Sequence, residues 1–418
     1  MNEKTINGGI CAAKGFKASG MQVGIGFRPL SDGSYKPKKI KNDLGLVYSE
    51  KMCTAAAVYT QNKVKGAPIL VTKANIADGY AQAVIVNSKN ANTCNADGEQ
   101  VAAKMCELAA GALKLKPSDV IVASTGVIGQ PLDVTPIANN IDALASKLAY
   151  GEEGSDMCAT AIMTTDTAKK EFAVEFSIGS TVCHMGGIAK GSGMIHPNMA
   201  TMLCFMTTDA AISAEMIKAA LSQVTKVTFN RVSVDGDTST NDMACVMANG
   251  MAGNEEIVEK NADYESFCAA LYTIMRYLSR EIARDGEGAT KLLECNVSGA
   301  DCEHTAEIVA KSVITSSLFK AAMFGADANW GRVLCAIGYA DAEFDINCVN
   351  VSLASSKGEI DVCKNGSGVD FSEEIAKEIL LEDEIIINVS LGDGDGAATA
   401  WGCDLTYDYV KINGDYRS

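Results

Sequence analysis

Three observations predict an α/β protein of more than one domain. The chain has 418 residues, and at ~100–200 residues per domain this means two to three domains or one large composite one. Hydrophobic residues make up 47% and charged residues 21%, proportions that allow a large core and exclude both disorder and disulfide-stapled miniature folds. Short β-rich runs and amphipathic stretches also alternate along the whole length, which predicts sheets covered by helices.

The elements follow in order. Strands are expected over 69–72, 83–87 and 120–123, where β-branched and apolar residues cluster. Helices are expected over 97–115, 137–150, 214–227, 264–284 and 308–319. Within 264–284, Phe267, Leu271, Ile274 and Leu278 recur at three- and four-residue spacing and form the buried stripe. A Gly-rich turn in 285–299 leads into a strand-rich tail through 349–353, 384–389 and 406–412, and this composition shift places a domain boundary near residue 290, with 1–290 as the main domain and 291–418 as a smaller C-terminal one. There is no internal repeat or long Pro/Gly/Ser linker.

Charge and residue counts exclude several function classes. With 36 Lys and Arg against 52 Asp and Glu, the net charge is −16, which at long range repels nucleic acid and anionic membranes. Only His184, His196 and His304 are available, so histidine chemistry is hard to assemble. Fifteen cysteines lie scattered with no C-x-x-C pair. They read as reduced thiols of a cytoplasmic protein acting as small hydrophobes, and no metal site is expected. The N-terminus has no apolar signal-peptide core. The uncharged run 191–208 is close in length to a membrane helix, but its Gly, Ser, Asn, Pro and Thr make it none.

Common nucleotide and esterase motifs are absent: there is no phosphate loop and no G-x-S-x-G elbow. Gly24-Ile25-Gly26 reads as a turn. Asp393-Gly394-Asp395-Gly396 lacks the later bidentate Glu of a calcium loop and reads as a tight acidic turn. The run 235–242 reads as side chain-to-backbone turns.

The informative segment is 186–205, where glycines and Pro197 crowd the residues before Thr201 and an apolar strand-like run follows. Two readings stand. One is a glycine-rich turn feeding a core strand, with Thr201 inert. The other uses the Thr201 hydroxyl to attack the preceding carbonyl, so that hydrolysis of the ester leaves a new N-terminal Thr whose amine serves as its own base.

The segment Lys190-Gly191-Ser192-Gly193-Met194-Ile195 followed by Asn198-Met199-Ala200-Thr201 resembles the self-cleavage site of the ornithine acetyltransferases, the glutamate N-acetyltransferases of arginine biosynthesis. The resemblance runs nearly end to end, through Asn90-Ala91-Asn92, Ser124-Thr125-Gly126, Met163-Thr164-Thr165-Asp166-Thr167, 233–242, 285–291, 327–332 and 398–406. It implies a layered αββα sandwich with a smaller C-terminal α/β domain, cut between Ala200 and Thr201 into fragments 1–200 and 201–418. Thr201 is then the nucleophile, and Thr125 and Gly126 are the oxyanion hole. Thr164, Lys190, Thr201, Glu287, Asn413 and Ser418 fall at the family's substrate-binding positions. The implied reaction carries acetyl from N2-acetylornithine to glutamate through an acetyl-Thr201 ester, with no metal or organic cofactor. Some members also use acetyl-CoA as donor. The implied assembly holds two copies of each fragment, with no nucleic acid or membrane partner. The competing activity is an amidase or aminopeptidase of the same self-processing superfamily; a non-catalytic metabolite-binding or assembly protein is the remaining alternative. Two departures from the family pattern stand out: Lys89 where Gly is usual, and a tail ending in Ser418 where Thr is common.

Overall fold

The computed structural model describes residues 3–25, 41–196 and 202–414. Their elements run β1 (Lys4–Ile6), β2 (Phe16–Met21), β3 (Leu44–Tyr59), α1 (Ala67–Asn75), β4 (Tyr80–Asn87), α2 (Gly98–Leu113), β5 (Val120–Ser124), α3 (Thr135–Ser146), α4 (Gly151–Ala161), β6 (Lys170–Ile178), β7 (Thr181–Lys190), β8 (Leu203–Thr208), α5 (Ala214–Val227), β9 (Val232–Ser233), β10 (Met243–Ala248) and α6 (Ala262–Arg284). They continue with β11 (Leu292–Gly299), α7 (Glu303–Thr315), α8 (Ser317–Phe324), α9 (Trp330–Gly338), β12 (Asn350–Ser355), β13 (Gly358–Lys364), β14 (Ser367–Gly368), α10 (Glu373–Leu380), β15 (Glu384–Ser390), β16 (Gly394–Cys403) and α11 (Tyr407–Gly414). They form two compact units. The first draws on the described residues of Met1–Gly191, Asn198–Lys226 and Thr238–Leu278, and the second on those of Ser192–Pro197, Val227–Asp237 and Ser279–Ser418.

The first unit is built on a nine-stranded sheet ordered β1-β6-β7-β8-β10-β3-β4-β5, with β2 also on β3. The long strand β3 belongs to both halves of it: Leu44 to Tyr48 pair with β4, and Thr54 to Tyr59 pair with β10. Between Tyr48 and Cys53 the register slips, because five steps on β3 match the two from Ala83 to Ala81 on β4. A bulge of this kind bends and twists a strand, and here it lets the halves face each other across one core. Val84, Val86, Ile121 and Ala123 from one half share a buried cluster with Ile188, Leu203, Phe205, Met243 and Cys245 from the other. The alternate residues Ala83, Ile85, Val120 and Val122 point the opposite way, against Met105 and Ala109 of α2 and Ile137 and Leu144 of α3. On the outer face of the second half, Phe176 of β6 meets Phe267 of α6 edge-on at 6.4 Å, and Phe172 stacks on Tyr277 at 4.1 Å. The expected αββα layering is therefore present. The α6 stripe is buried as predicted, with Phe267, Leu271, Ile274 and Leu278 all at 0% exposure.

The second unit has a seven-stranded sheet ordered β14-β13-β12-β15-β11-β16-β9. Strand β15 alternates strictly, with Ile385, Ile387 and Val389 inward, the pattern of a strand with one covered face. The covering residues include Val309 and Val313 of α7, Phe319 of α8, Val333 of α9 and Leu380 of α10.

Three expectations are corrected. Residues 69–72 lie in helix α1, where Pro68 occupies the first turn and Ile69 and Thr72 are buried at helical spacing. A short apolar run cannot by itself distinguish strand from helix. Residues 308–319 span two helices, because Ser316 ends α7 and caps α8 by accepting from the Phe319 N–H at 3.3 Å. Residues 406–412 enter α11, whose Tyr407 and Val410 are exposed; with no apolar face to bury, the β-rich composition there has no sheet to join.

All fifteen cysteines are free thiols, and all but Cys94, Cys302, Cys335 and Cys348 are buried. Burial pushes the buried thiols up, Cys53 and Cys158 to about 12. Among the described residues no helix is long and apolar enough to cross a membrane, and no group of three or more His, Cys, Asp or Glu could hold a metal ion.

Candidate active site

In the first unit, β5 ends at Ser124 and the chain turns through Thr125 and Gly126. The Thr125 N–H donates to the Asn87 carbonyl at 3.0 Å, and the Val127 N–H to the Lys89 carbonyl at 3.1 Å. Gly126 has φ +132°, and a Cβ there would collide with the Lys89 carbonyl and the Asn90 nitrogen. Only glycine fits this turn. Side chains then lock it. The Ser124 hydroxyl donates to Asn87 Oδ1 at 2.6 Å, and Asn87 Nδ2 to the Asn90 carbonyl at 2.9 Å. Asn241 Nδ2 bridges the carbonyls of Ala91 and Ser124 at 2.6 and 3.0 Å, while its oxygen accepts from Thr93 and Thr240, each at 2.6 Å. Among the described residues neither the Thr125 hydroxyl nor the Gly126 N–H has a hydrogen-bond partner. Two donors thus stand ready on a rigid frame, the requirement for stabilising a developing oxyanion.

A second cluster in the same unit gathers around Asp166, which is 2% exposed. Its carboxylate accepts from the Thr164 N–H at 2.9 Å, the Gly191 N–H at 2.8 Å and Lys170 Nζ at 2.7 Å. Burial pushes the carboxyl up, but the Lys170 and Lys190 charges and these donors outweigh it and hold it down to about 2. Asp166 therefore holds Thr164 and the end of β7, where Lys190 sits, in one place. Lys190 pairs with Leu203 across β7 and β8, so it flanks the start of the strand that follows Thr201 in sequence. On the other side of β8 runs β10, in parallel, with the Met243 N–H donating to the Met202 carbonyl at 2.9 Å. Just before β10 lies Asp242, 3% exposed. Burial raises its carboxyl well above the usual range, against the pull of the Lys190 charge.

In the second unit, Glu287 is 6% exposed and accepts from Asn413 Nδ2 at 2.8 Å. Gly193 lies so close that a Cβ would strike the Glu287 carboxylate. The stretch 192–196 is held on several sides. The Glu287 N–H donates to the Ser192 carbonyl at 3.0 Å, the Ser192 hydroxyl to the Asp285 carbonyl at 2.7 Å, and the Met194 and Ile195 N–H groups to Asp235 at 2.7 and 2.9 Å. His196 Nδ1 lies 3.0 Å from the Ser233 hydroxyl, and burial lowers its pKa.

The structure thus brings Thr125 to Gly126, Thr164 to Lys190 through Asp166, and Glu287 to Asn413. Ala200, Thr201 and Ser418 lie outside the described residues. Sequence reasoning missed Asp166 and Asn241 as organisers of the first unit's clusters and Asp235 as that of the second unit's. Their signal was a density of Asp, Asn and Thr between apolar strands, which reads equally well as turns; Asp235 does make one, accepting from the Asp237 N–H at 3.2 Å.

A model of the ArgJ family matches residues 31–418. The chain belongs to the ArgJ family. Among its relatives, the arginine biosynthesis bifunctional protein ArgJ 1 of Clostridium acetobutylicum is 50% identical over 379 residues, 90% of this chain and 92% of that protein. The ArgJ bifunctional protein of Caldanaerobacter subterraneus subsp. tengcongensis is 47% identical over 414 residues, 99% of each chain. A solved ornithine acetyltransferase from Mycobacterium tuberculosis, in complex with ornithine, is 33% identical; it covers 47% of this ArgJ-family chain and 100% of its own, with a TM-score of 0.41.

Proposed function

We propose that this ArgJ-family acetyltransferase of arginine biosynthesis moves acetyl from N2-acetylornithine to glutamate through an ester on Thr201. The observation that carries the mechanism is the pair of unpartnered donors, the Thr125 hydroxyl and the Gly126 N–H, on a locked turn. Family membership supplies the reaction class, and its relatives are named as bifunctional proteins of arginine biosynthesis.

In the processing step, Thr201 Oγ attacks the Ala200 carbonyl and the peptide becomes an ester. Water then cleaves the ester, giving the Ala200 carboxylate and a free Thr201 amine. In the transfer step that amine takes the hydroxyl proton as Oγ attacks the acetyl carbonyl. Thr125 and Gly126 hold the tetrahedral oxyanion, and ornithine leaves with the proton. The glutamate amine then attacks the acetyl-Thr201 ester, giving N-acetylglutamate and restoring the hydroxyl. Lys190 is suited to a substrate α-carboxylate, and Glu287, oriented by Asn413, to the ornithine side-chain ammonium; Thr164 and Ser418 complete the binding set. No metal or organic cofactor enters these steps, and acetyl-CoA serves as an additional donor if the chain is bifunctional like its named relatives. The proposed assembly is two copies of each fragment in the cytoplasm.

The test is Thr201→Ala. The unsubstituted protein should give two bands on a denaturing gel, one starting at Thr201 by N-terminal sequencing, and should release ornithine beyond one equivalent per site only when glutamate is supplied. The variant should run as one full-length band and transfer nothing. Normal transfer by the variant would overturn the mechanism, and full-rate ornithine release without glutamate would point to the hydrolase instead.

A further inference from the structure

The residues before the Ala200–Thr201 bond read in sequence as a glycine-rich turn, which an isolated chain leaves loose. In the second unit the stretch 192–196 is seated instead. The Val234 N–H donates to the Ile195 carbonyl at 2.7 Å, and His196 Nδ1 lies 3.0 Å from the Ser233 hydroxyl. The half-buried Asp235 takes two consecutive N–H groups on one carboxylate, Met194 donating to Oδ2 at 2.7 Å and Ile195 to Oδ1 at 2.9 Å. Met194 holds φ +58°, the left-handed region that side chains rarely adopt. Successive N–H groups at such a residue make a concave seat for an anion, and here the anion is Asp235.

Asp235 stands on a fixed base. Strand β9 pairs with β16 through Val232–Trp401 and Ser233–Gly402, and the buried Lys320 ammonium donates to the Val234 carbonyl. The other side of the segment meets Glu287. The Ser192 carbonyl accepts from the Glu287 N–H at 3.0 Å, and a Cβ on Gly193 would strike the Glu287 carboxylate. One short stretch therefore ties Asp235 to Glu287 at one end and runs on to the scissile bond at the other. Asp235 and Glu287 belong to 201–418 and the stretch to 1–200, so cleavage breaks none of these bonds.

We propose that Asp235 is a positioning residue for both chemical stages, self-cleavage and the binding of the substrate ammonium at Glu287. Both roles rest on the acetyl-transfer reading. In the first, its carboxylate confines the loose run before the scissile bond to 197–200, so the Ala200 carbonyl visits fewer positions and intramolecular attack is faster. In the second, it fixes Ser192 and Gly193 against Glu287 and so aims that carboxylate.

The test compares the full chain with Asp235→Ala and Asp235→Asn. Alanine removes both acceptor oxygens, whereas asparagine keeps one and turns an amide N–H toward the other donor, so the losses should be graded. Cleavage, timed on a denaturing gel, is expected to slow ~10-fold or more in Asp235→Ala and less in Asp235→Asn. In the cleaved fraction of Asp235→Ala the N2-acetylornithine KM should rise ~10-fold while kcat and the glutamate KM stay within ~2-fold. A merely structural aspartate lowers the urea midpoint and moves both KM values together, and that result would overturn the proposal. Unchanged cleavage with an unchanged N2-acetylornithine KM would overturn it as well. If the unsubstituted chain neither cleaves nor transfers, the transfer reading falls and calorimetric titration with ornithine judges Asp235 separately. Binding ~10-fold weaker in Asp235→Ala then supports the positioning role, and equal binding, or none to either form, overturns it.

Discussion

Gly126 connects sequence to chemistry through sterics. Its φ of +132° and its contact with the Lys89–Asn90 backbone leave no room for a Cβ, so Gly126→Ala must shift either the β5 turn or the 89–90 segment that follows β4. A shift of either kind redirects the Gly126 N–H and the neighbouring Thr125 hydroxyl away from the position an oxyanion occupies. Loss of one such donor costs ~10²–10³ in rate. The expected result for Gly126→Ala is a fall in kcat of at least that size, with the glutamate KM changed far less. Near-normal kcat from a folded variant would show that this turn does not contact the reacting carbonyl. Thr125 and Gly126 came from the family resemblance; by themselves Ser124, Thr125 and Gly126 read as a plain strand-to-loop turn. Asn241, which holds that turn, was beyond sequence reasoning because its partners Ala91 and Ser124 lie 150 and 117 residues away.

At the scale of elements, legibility followed burial. Helix α6, with four buried residues at helical spacing, and strands β4 and β5, with continuous apolar runs, stand where the pattern put them. Helix α1 does not, because four apolar or β-branched residues fit either state and the deciding signals, Gly66 before it and Pro68 in its first turn, lie outside the run. The link between the turn after α4, the start of β6 and the end of β7 was equally hidden, since Asp166 joins them through hydrogen bonds from Thr164, Lys170 and Gly191 rather than through pattern. It also gives those elements a pH dependence. The Asp166 carboxyl falls from its usual 3.8 to about 2 on folding, so between these values the unfolded chain binds more protons than the folded one. Its contribution, about 2 kcal/mol, is fully present above pH ~4 and is lost as pH falls through ~2. Asp166→Asn, which leaves the buried Lys170 ammonium without its carboxylate, is expected to lower the urea midpoint at pH 7 and to flatten the loss of stability between pH ~4 and ~2. An acid limb as steep as that of the unsubstituted protein would mean that other carboxylates carry it.

At the scale of the molecule, the position of the proposed cut relative to the sheet decides what cleavage does. Strands β7 and β8 are antiparallel neighbours joined from Met185–Thr208 to Lys190–Leu203, and the chain between them contains the Ala200–Thr201 bond. Cleavage there severs the connection between adjacent strands and none of the hydrogen bonds that pair them. The fragment 1–200 would supply β1 to β7 and the fragment 201–418 β8 and β10, all to one nine-stranded sheet. Their shared core includes Ile188 from the first and Leu203, Phe205 and Met243 from the second. Neither fragment can bury its half of that core alone, so the first-unit strands of each should be left exposed and prone to aggregate when it is expressed singly, and the pair should separate only on denaturation. The expected result is co-elution of both fragments from a sizing column, at a mass that is a multiple of 43.8 kDa, with two bands appearing only on the denaturing gel. A fragment 201–418 that by itself protected the β8 and β10 amides from hydrogen exchange would contradict the shared sheet. Co-elution lost at high salt but kept at low salt would mean that charge pairing, rather than strand pairing and apolar burial, holds the halves together.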